Sequence, residues 1–192
     1  MFKKVNIYDE KDKILRTKCA EVTGTLSEKE KSLIKQGLKQ LRFSQIEDLA
    51  EKYSLRPGMG LAFPQLGIAK RVIMICHEEE PGVFKDYIVI NPKIISNSTE
   101  IIAAEAGEGC LSVNREVEGH VPRYARVTIE GYDIDGNHIR VRAREELSIA
   151  FQHEIDHLDG ILFYDRINPK KRFYQEGEIR LIWKKGLLNY QS

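Results

Sequence analysis

Two histidines in the second half of the chain have the spacing of metal ligands on a helix. His153 and His157 are four residues apart in the segment His-Glu-Ile-Asp-His. Side chains at this spacing lie on the same face of an α-helix, so both imidazoles can reach one metal ion. Glu154 lies close enough to contact a metal-bound water without being a ligand. The alternative is a helix whose two histidines are satisfied by neighbouring side chains. Burial of the helix favours the metal, because unpartnered polar groups inside it would be costly.

A catalytic metal held by two histidines needs a third protein ligand and one open position. Cys110 is one candidate, because it lies between a glycine and a strand-like segment and could present a thiolate. Glu176 and Glu178, further downstream, are the candidates in a zincin-type peptidase. The alternative for Cys110 is a small buried apolar side chain, which is how we interpret Cys19 and Cys76.

Residues 58–65 form a third segment of interest, Gly-Met-Gly-Leu-Ala-Phe-Pro-Gln. Two glycines separated by one residue let a backbone or a ligand approach closely. The segment is not a phosphate-binding loop, because no Gly-Lys-Ser/Thr follows and Pro64 disrupts a helix that would start there. Gln65 carries an amide that could donate a hydrogen bond to an oxyanion. A plain turn is the alternative.

The histidines lie in a segment, residues 145–158, whose composition favours a helix. Its apolar residues fall on more than one side, which is typical of a buried helix. They are Leu147, Ile149, Ala150, Phe151, Ile155 and Leu158.

Residues 25–53 predict an amphipathic helix that packs on the core. Ser27 followed by Glu30 is a capping-box pattern, and apolar residues recur at helical spacing behind it. The sequence Leu-Arg-Pro-Gly at 55–58 ends the helix. A helix that binds a partner protein is the less common alternative.

The region between these helices predicts short strands. The clearest β-branched runs are residues 71–76 and residues 86–90, the second ended by Asn91 and Pro92. Further strands are predicted at 94–95, 101–102, 125–132 and 138–142, with a hairpin turn at 135–137. The order of elements predicts an α+β fold, with antiparallel sheets packed around the buried helix that carries His-Glu-x-x-His.

Composition restricts the class of protein. The 192 residues suit one domain, residues 1–192, and are too few for two domains that each have a substantial core. A formal net charge of +1 argues against binding to DNA or to a membrane surface. No apolar run approaches the roughly 18 residues of a membrane span, and no signal peptide is apparent. Three cysteines cannot all pair with one another, which predicts free thiols in the cytoplasm.

The three segments, in this order, resemble the peptide deformylase family. The family pattern is Gly-x-Gly-Leu-Ala-Ala-Pro-Gln, then Glu-Gly-Cys-Leu-Ser, then His-Glu-x-x-His, and it is matched at residues 58–65, 108–112 and 153–157. The long segment before the first motif resembles the Gram-positive-type branch. Phe63 stands where the family usually has alanine, which should alter packing beside Gln65 rather than the chemistry.

This resemblance implies a set of site residues. Cys110, His153 and His157 would be the metal ligands, and Glu154 the general acid and base. Gln65 and the backbone N–H of Leu111 would be the oxyanion donors. The metal would be one divalent ion, with Fe²⁺ expected and Zn²⁺, Ni²⁺ or Co²⁺ able to substitute.

The resemblance also implies a reaction and a substrate. The enzyme would hydrolyse the N-formyl group from the N-terminal methionine of new polypeptides and release formate. The family's apolar methionine pocket nominates Met59, Gly60 and Ile149 as substrate-binding residues.

Two further hypotheses about the function remain open from the sequence. A structural zinc domain would need a fourth protein ligand, yet neither His120 nor His138 lies in a motif with metal-ligand spacing. The basic run Lys-Lys-Arg at 170–172 could make a transient contact with the ribosome, although a solvated loop is the more common reading.

Overall fold

The computed structural model describes residues 2–175 and 177–182 of the chain. This part has the α+β fold predicted from the order of its elements. Its α-helices are α1 (Glu28–Ser44), α2 (Glu47–Lys52) and α3 (Glu145–Leu158). Its strands are β1 (Gly60–Ala62), β2 (Val72–Glu80), β3 (Val83–Asn97), β4 (Ile101–Ala104), β5 (Arg123–Tyr124), β6 (Arg126–Tyr132), β7 (His138–Arg144) and β8 (Arg180–Ile182). No helix in these two ranges is long and apolar enough to cross a membrane.

The strands form two sheets. Five strands make the main sheet in the order β1-β2-β3-β6-β7, and every neighbouring pair is antiparallel. In the β2–β3 hairpin, Val72 lies opposite Ile90 and Ile75 lies opposite Tyr87. The smaller sheet has the order β5-β4-β8, and its β4–β8 pair is parallel. That pair departs from the antiparallel expectation because β8 returns to β4 from far along the chain, as a parallel neighbour must.

The segment predicted as one helix over 25–53 forms two helices, α1 and α2, so the prediction of a single helix is wrong. Its start is as predicted, because Ser27 and Glu30 form a reciprocal capping box. Its end differs because Ile46 has extended backbone, with φ −110° and ψ 113°, and caps α2 instead of continuing α1. The Ser44 hydroxyl and the Gln45 amide both donate to the Leu41 carbonyl, and these side-chain bonds satisfy the last turn of α1.

The predicted strand end at Asn91 and Pro92 is also wrong. The strand β3 continues through both residues, with a register irregularity between Ile90 and Lys93. Asn91 has a left-handed φ of 53°, and its side-chain amide bonds both the N–H and the carbonyl of Val22. A proline is tolerated at such an irregularity because no ladder hydrogen bond is required of it there.

The main sheet separates two cores. Successive residues of β2 point to opposite faces, so Ile73 and Ile75 face α3 whereas Val72 and Met74 face α1. The α3 side contains Val89, Val127, Ile129, Phe151, Ile155 and Leu158. The α1 side contains Ile34, Leu38, Leu41, Leu61, Phe63 and Leu66. The helix α3 is therefore enclosed by sheet, as its apolar pattern predicts.

Candidate active site

The helix α3 has the predicted bounds and presents both histidines on one side. The His153 and His157 rings lie 5.1 Å apart, centroid to centroid, and both side chains are buried. Ile149 is one further turn back on the same face, because it precedes His153 by four residues. Of these α3 residues, Ile149 and His153 line one cavity.

Cys110 reaches these histidines from the loop between β4 and β5. Its Sγ lies 3.3 Å from His157 Nε2, and the donor atoms of Cys110, His153 and His157 all lie within 4.8 Å of one another. Within the described residues, this is the one cluster of such side chains able to hold a metal ion. The prediction of Cys110, His153 and His157 as a common group is thus supported by their convergence in space.

The competing acidic ligand is not brought to this cluster. The Glu178 carboxylate is exposed and is engaged by Lys171 and by the N–H of Gln175. Glu176 lies outside the described residues.

Cys19 and Cys76 are free and buried, as predicted, and burial raises the pKa of their thiols to about 11 and about 12. Neither of these two cysteines has the character of a thiolate ligand.

The pKa values of the two histidines shift in opposite directions. Burial lowers the pKa of His157 well below its ordinary value, which favours the neutral imidazole that binds metals. Burial also opposes charge on His153, but contacts with Cys110 and Glu108 outweigh it and raise the pKa of His153. A metal cation would displace that proton. One sulfur and two imidazole nitrogens suit iron, cobalt, nickel or zinc.

Glu108 holds His153 in place from behind. Its carboxylate lies 2.8 Å from His153 Nδ1, which directs Nε2 of the ring towards Cys110. Arg123 donates two hydrogen bonds to Glu108 and a third, of 2.6 Å, to Asp156 on α3. Burial would raise the pKa of Glu108, but Arg123 and His153 outweigh burial and hold this pKa at about 2.

This supporting ion-pair network was missed by the sequence reasoning. Arg123 lies in none of the three motifs and, although the family resemblance extends over Val-Pro-Arg at 121–123, it had no expected role; Asp156 lies inside the helix motif, also without an expected role. The available signal was burial, because a charged residue on a predicted buried helix requires a charged partner. That signal does not identify which arginine supplies the charge.

Glu154 lies beside the metal-ligand cluster but is not part of it. Burial raises the pKa of its carboxyl group to about 7, and Oε2 has no hydrogen-bond partner among the described residues. Gly60 packs directly against it, since a Cβ at Gly60 would lie 2.4 Å from Glu154 Oε1. The first motif therefore needs a glycine here to leave room for the carboxylate.

Gln65 is oriented by its neighbours. Its Oε1 accepts the Ala62 N–H at 2.8 Å, so Nε2 points the other way, towards Ser112 Oγ at 3.1 Å and Cys110 Sγ at 3.5 Å. The adjacent Leu111 is fixed through its carbonyl, which accepts a hydrogen bond from the Arg56 guanidinium. Both predicted oxyanion donors thus belong to residues next to Cys110 or in contact with it.

One cavity of about 800 Å³ joins these residues. Its lining includes the predicted site residues Met59, Gly60, Gln65, Cys110, Leu111, Ile149, His153 and Glu154. Phe63 does not line the cavity, because it is fully buried in the α1-side core. The departure from the family alanine is thus a core-filling side chain.

The other two histidines considered as ligands lie elsewhere. His120 Nδ1 accepts the Tyr174 N–H at 3.0 Å and its Nε2 lies 3.2 Å from the Glu105 carbonyl. His138 is on the exposed strand β7, 3.6 Å from Glu130. Neither supplies the fourth protein ligand that a structural zinc site would need.

Comparison with known proteins agrees with this geometry. A family model described as polypeptide deformylase matches residues 4–173. Peptide deformylase 2 of Bacillus anthracis is 45% identical over 168 residues, which cover 88% of this chain and 91% of that protein. The peptide deformylase of Listeria monocytogenes is 48% identical over 160 residues, covering 83% and 87%. The crystal structure of peptide deformylase from Thermotoga maritima matches with a TM-score of 0.68 at 29% identity, covering 87% of this chain and 99% of that one. Because the matched range includes all three motifs, the chain belongs to the polypeptide deformylase family, in its Gram-positive-type branch.

Proposed function

We propose that Cys110, His153 and His157 hold one divalent metal ion with which this chain removes the N-formyl group from the N-terminal methionine of new polypeptides, releasing formate. The observation that carries this proposal is the convergence of the three donors, two of which line a cavity together with the buried Glu154 carboxylate. When bound, the metal supplies Lewis-acid polarisation and lowers the pKa of water towards neutrality.

Glu154 is the proton carrier. Its pKa of about 7 suits a group that must accept a proton and then return it near neutral pH. It takes a proton from the attacking water and delivers it to the amine that leaves when the formamide bond breaks. Gly60 keeps this carboxylate at the cavity because no side chain intervenes.

Gln65 and Leu111 stabilise the charge that develops on the formyl oxygen. The Gln65 Nε2 amide is held in its orientation by Ala62, so it does not reorganise when charge appears. The Leu111 N–H belongs to the residue directly after Cys110, and the Leu111 carbonyl accepts a hydrogen bond from Arg56. Donors of this kind contribute roughly 100- to 1,000-fold each to kcat.

The substrate's methionine side chain enters the apolar part of the cavity. Met59 and Ile149 offer apolar surface there, and Gly60 lets the substrate backbone approach closely. This arrangement leaves the formyl carbon near the cluster of donors.

We further propose that the native metal is ferrous iron, which zinc, nickel or cobalt can replace. One thiolate and two imidazoles accept all four ions. The free thiols support a reducing compartment, the cytoplasm, where nascent formylated chains are made. Metal analysis of anaerobically purified protein tests this assignment, and a stoichiometric content of another metal would overturn it.

We also propose that residues 1–192 form a single catalytic domain and that this domain makes a transient contact with the ribosome. In the basic run at 170–172, Lys171 pairs with Glu178 and Arg172 donates to the Glu118 carbonyl. Lys170 is therefore the side chain best able to contact an external phosphate. Cosedimentation of wild-type protein and Lys170→Glu with ribosomes tests this contact.

The central experiment compares two cysteine variants. Cys110→Ala should lose both metal and formate release from a formyl-methionyl peptide, because it removes one of three ligands. The matched control, Cys19→Ala, changes a buried cysteine outside the cluster and should retain both. A metal-loaded, active Cys110→Ala variant would contradict the proposed site.

A further inference from the structure

The strand β8 borders the active-site cavity although it lies beyond residue 173, where the family match ends. It pairs with β4 in parallel, with Ile182 opposite Ala104. The Glu105 N–H donates to the Ile182 carbonyl at 3.0 Å. The backbone of β8 is therefore held against the strand that leads to the Cys110 loop.

Arg180 ties β8 to the helix that carries the histidines. Its guanidinium bonds both carboxylate oxygens of Glu145, at 2.8 and 2.7 Å, and donates to Glu100 at 2.8 Å. Glu145 is the first residue of α3. Strand β8 and helix α3 are thus linked at the first residue of the helix.

Ile182 then projects into contact with α3. Its side chain is buried and packs in a small apolar cluster with Ile149 and Ala104, and all three residues line the cavity. Ile149 precedes His153 by one helical turn, about 6 Å along the axis. Ile149 is thus offset from His153 by a distance that an unbranched side chain such as that of methionine can span.

We propose that Ile182 is a specificity-determining residue, whose side chain forms with Ile149 the apolar wall that contacts the substrate's first side chain. This inference rests on the proposed deformylase function. Methionine is unbranched and apolar, so it can lie along two branched aliphatic side chains. Alanine at the same substrate position is too short to reach them.

The test measures kcat/KM for two peptides that differ only in their first residue, formyl-methionyl and formyl-alanyl. In Ile182→Ala, we expect the preference for methionine over alanine to fall about 10-fold, because apolar contacts of one or more methylene groups are lost. The formyl-alanyl value itself should stay close to that of wild type. Ile182→Phe should also reduce the preference, by filling the space that methionine uses.

The matched control is Leu181→Ala, because Leu181 lies on the opposite face of the same strand. It should leave the ratio unchanged. Metal content and melting temperature are measured for every variant, and if Ile182→Ala does not fold, Ile182→Val should give a smaller shift in the same direction. The inference would be overturned if a folded, metal-loaded Ile182→Ala variant kept the wild-type ratio of kcat/KM between the two peptides, even with an equal fall in kcat/KM for both. Failure of wild-type protein to release formate would instead contradict the proposed function.

Discussion

At the level of single residues, the proposed chemistry depends on a buried carboxylate that can exchange protons near neutral pH. Glu108 and Glu154 are both buried near His153, yet they have opposite environments. Arg123 and His153 hold the pKa of Glu108 at about 2, whereas burial without a comparable partner raises the pKa of Glu154 to about 7. The first carboxylate therefore stays charged and orients a ligand, and the second can exchange protons near neutral pH.

Glu154→Ala should abolish formate release while metal content stays near stoichiometric. The reason is that Glu154 carries protons but lies outside the group of three donors. Formate release and metal content are measured on the same preparation, with Glu178→Ala as an exposed control that keeps both. Loss of metal from Glu154→Ala would show that this residue is needed for ligation.

Gln65→Ala should keep its metal and lose roughly 100- to 1,000-fold in kcat, the size typical of one oxyanion donor. Steady-state kinetics on a formyl-methionyl peptide separate the possible roles. A change confined to KM would mean that Gln65 only binds the substrate.

Among the elements, α1 shows how a helix start is coupled to a distant segment. Glu30 closes the capping box with Ser27 and also accepts a 2.6 Å hydrogen bond from Lys70, which precedes β2. The hydrogen bond from Lys70, which outweighs burial, lowers the pKa of Glu30 to about 2. The charged form of Glu30 therefore stabilises both the helix end and its position on the sheet.

This coupling predicts a pH-dependent stability. Because the pKa of Glu30 is lower in the folded state, its contribution is complete above the unfolded value of about 4.5 and is lost as the pH falls towards 2. Glu30→Gln keeps a capping side chain but removes the charge, and it should cost about 1 kcal/mol of unfolding free energy at pH 7.

Denaturant unfolding of Glu30→Gln and wild type between pH 7 and pH 3 checks this expectation. The difference between the two proteins should shrink below pH 4.5. Glu28→Gln, in the same helical turn but highly exposed, is the control. A difference that is constant with pH would refute the contribution of the charge.

At the scale of the whole molecule, the ligand set joins parts of the chain that are far apart. Cys110 belongs to the loop after β4, and the histidines belong to α3 in the centre of the fold. The cavity is also bordered by β1 and β8, so four regions meet there. A ligand that binds only this assembled arrangement stabilises the folded state.

Metal removal should therefore lower the melting temperature. A chelator applied to the metal-loaded protein should produce this shift, and adding metal back should reverse it, because binding energy is available only to the folded chain. Calorimetry of Cys110→Ala with and without chelator is the control, and no shift is expected there. An equal shift in that variant would place the stabilising metal elsewhere.

The chemistry-bearing residues and the helix that carries two of them follow from local sequence. The four-residue spacing of His153 and His157, the bounds of α3 and the Ser27–Glu30 capping box are all set by neighbours a few residues apart. Local rules suffice for such features because backbone periodicity and side-chain capping act over one or two turns. The helix break at Ile46 and the continuation of β3 through Asn91 do not follow from local sequence. Both involve distant contacts, because the Gln45 amide next to the break donates to the Cys76 carbonyl and the Asn91 side chain accepts the Val22 N–H.

Only the tertiary structure decided which distant residues share the site. Sequence spacing left Cys110 and the downstream glutamates as rival ligands, and the fold brings Cys110 to His157 while Glu178 pairs with Lys171. It also placed Phe63 in a core and Ile182 at the cavity. These outcomes depend on packing and charge pairing between segments that are separated along the chain, and no periodicity within one segment encodes such contacts.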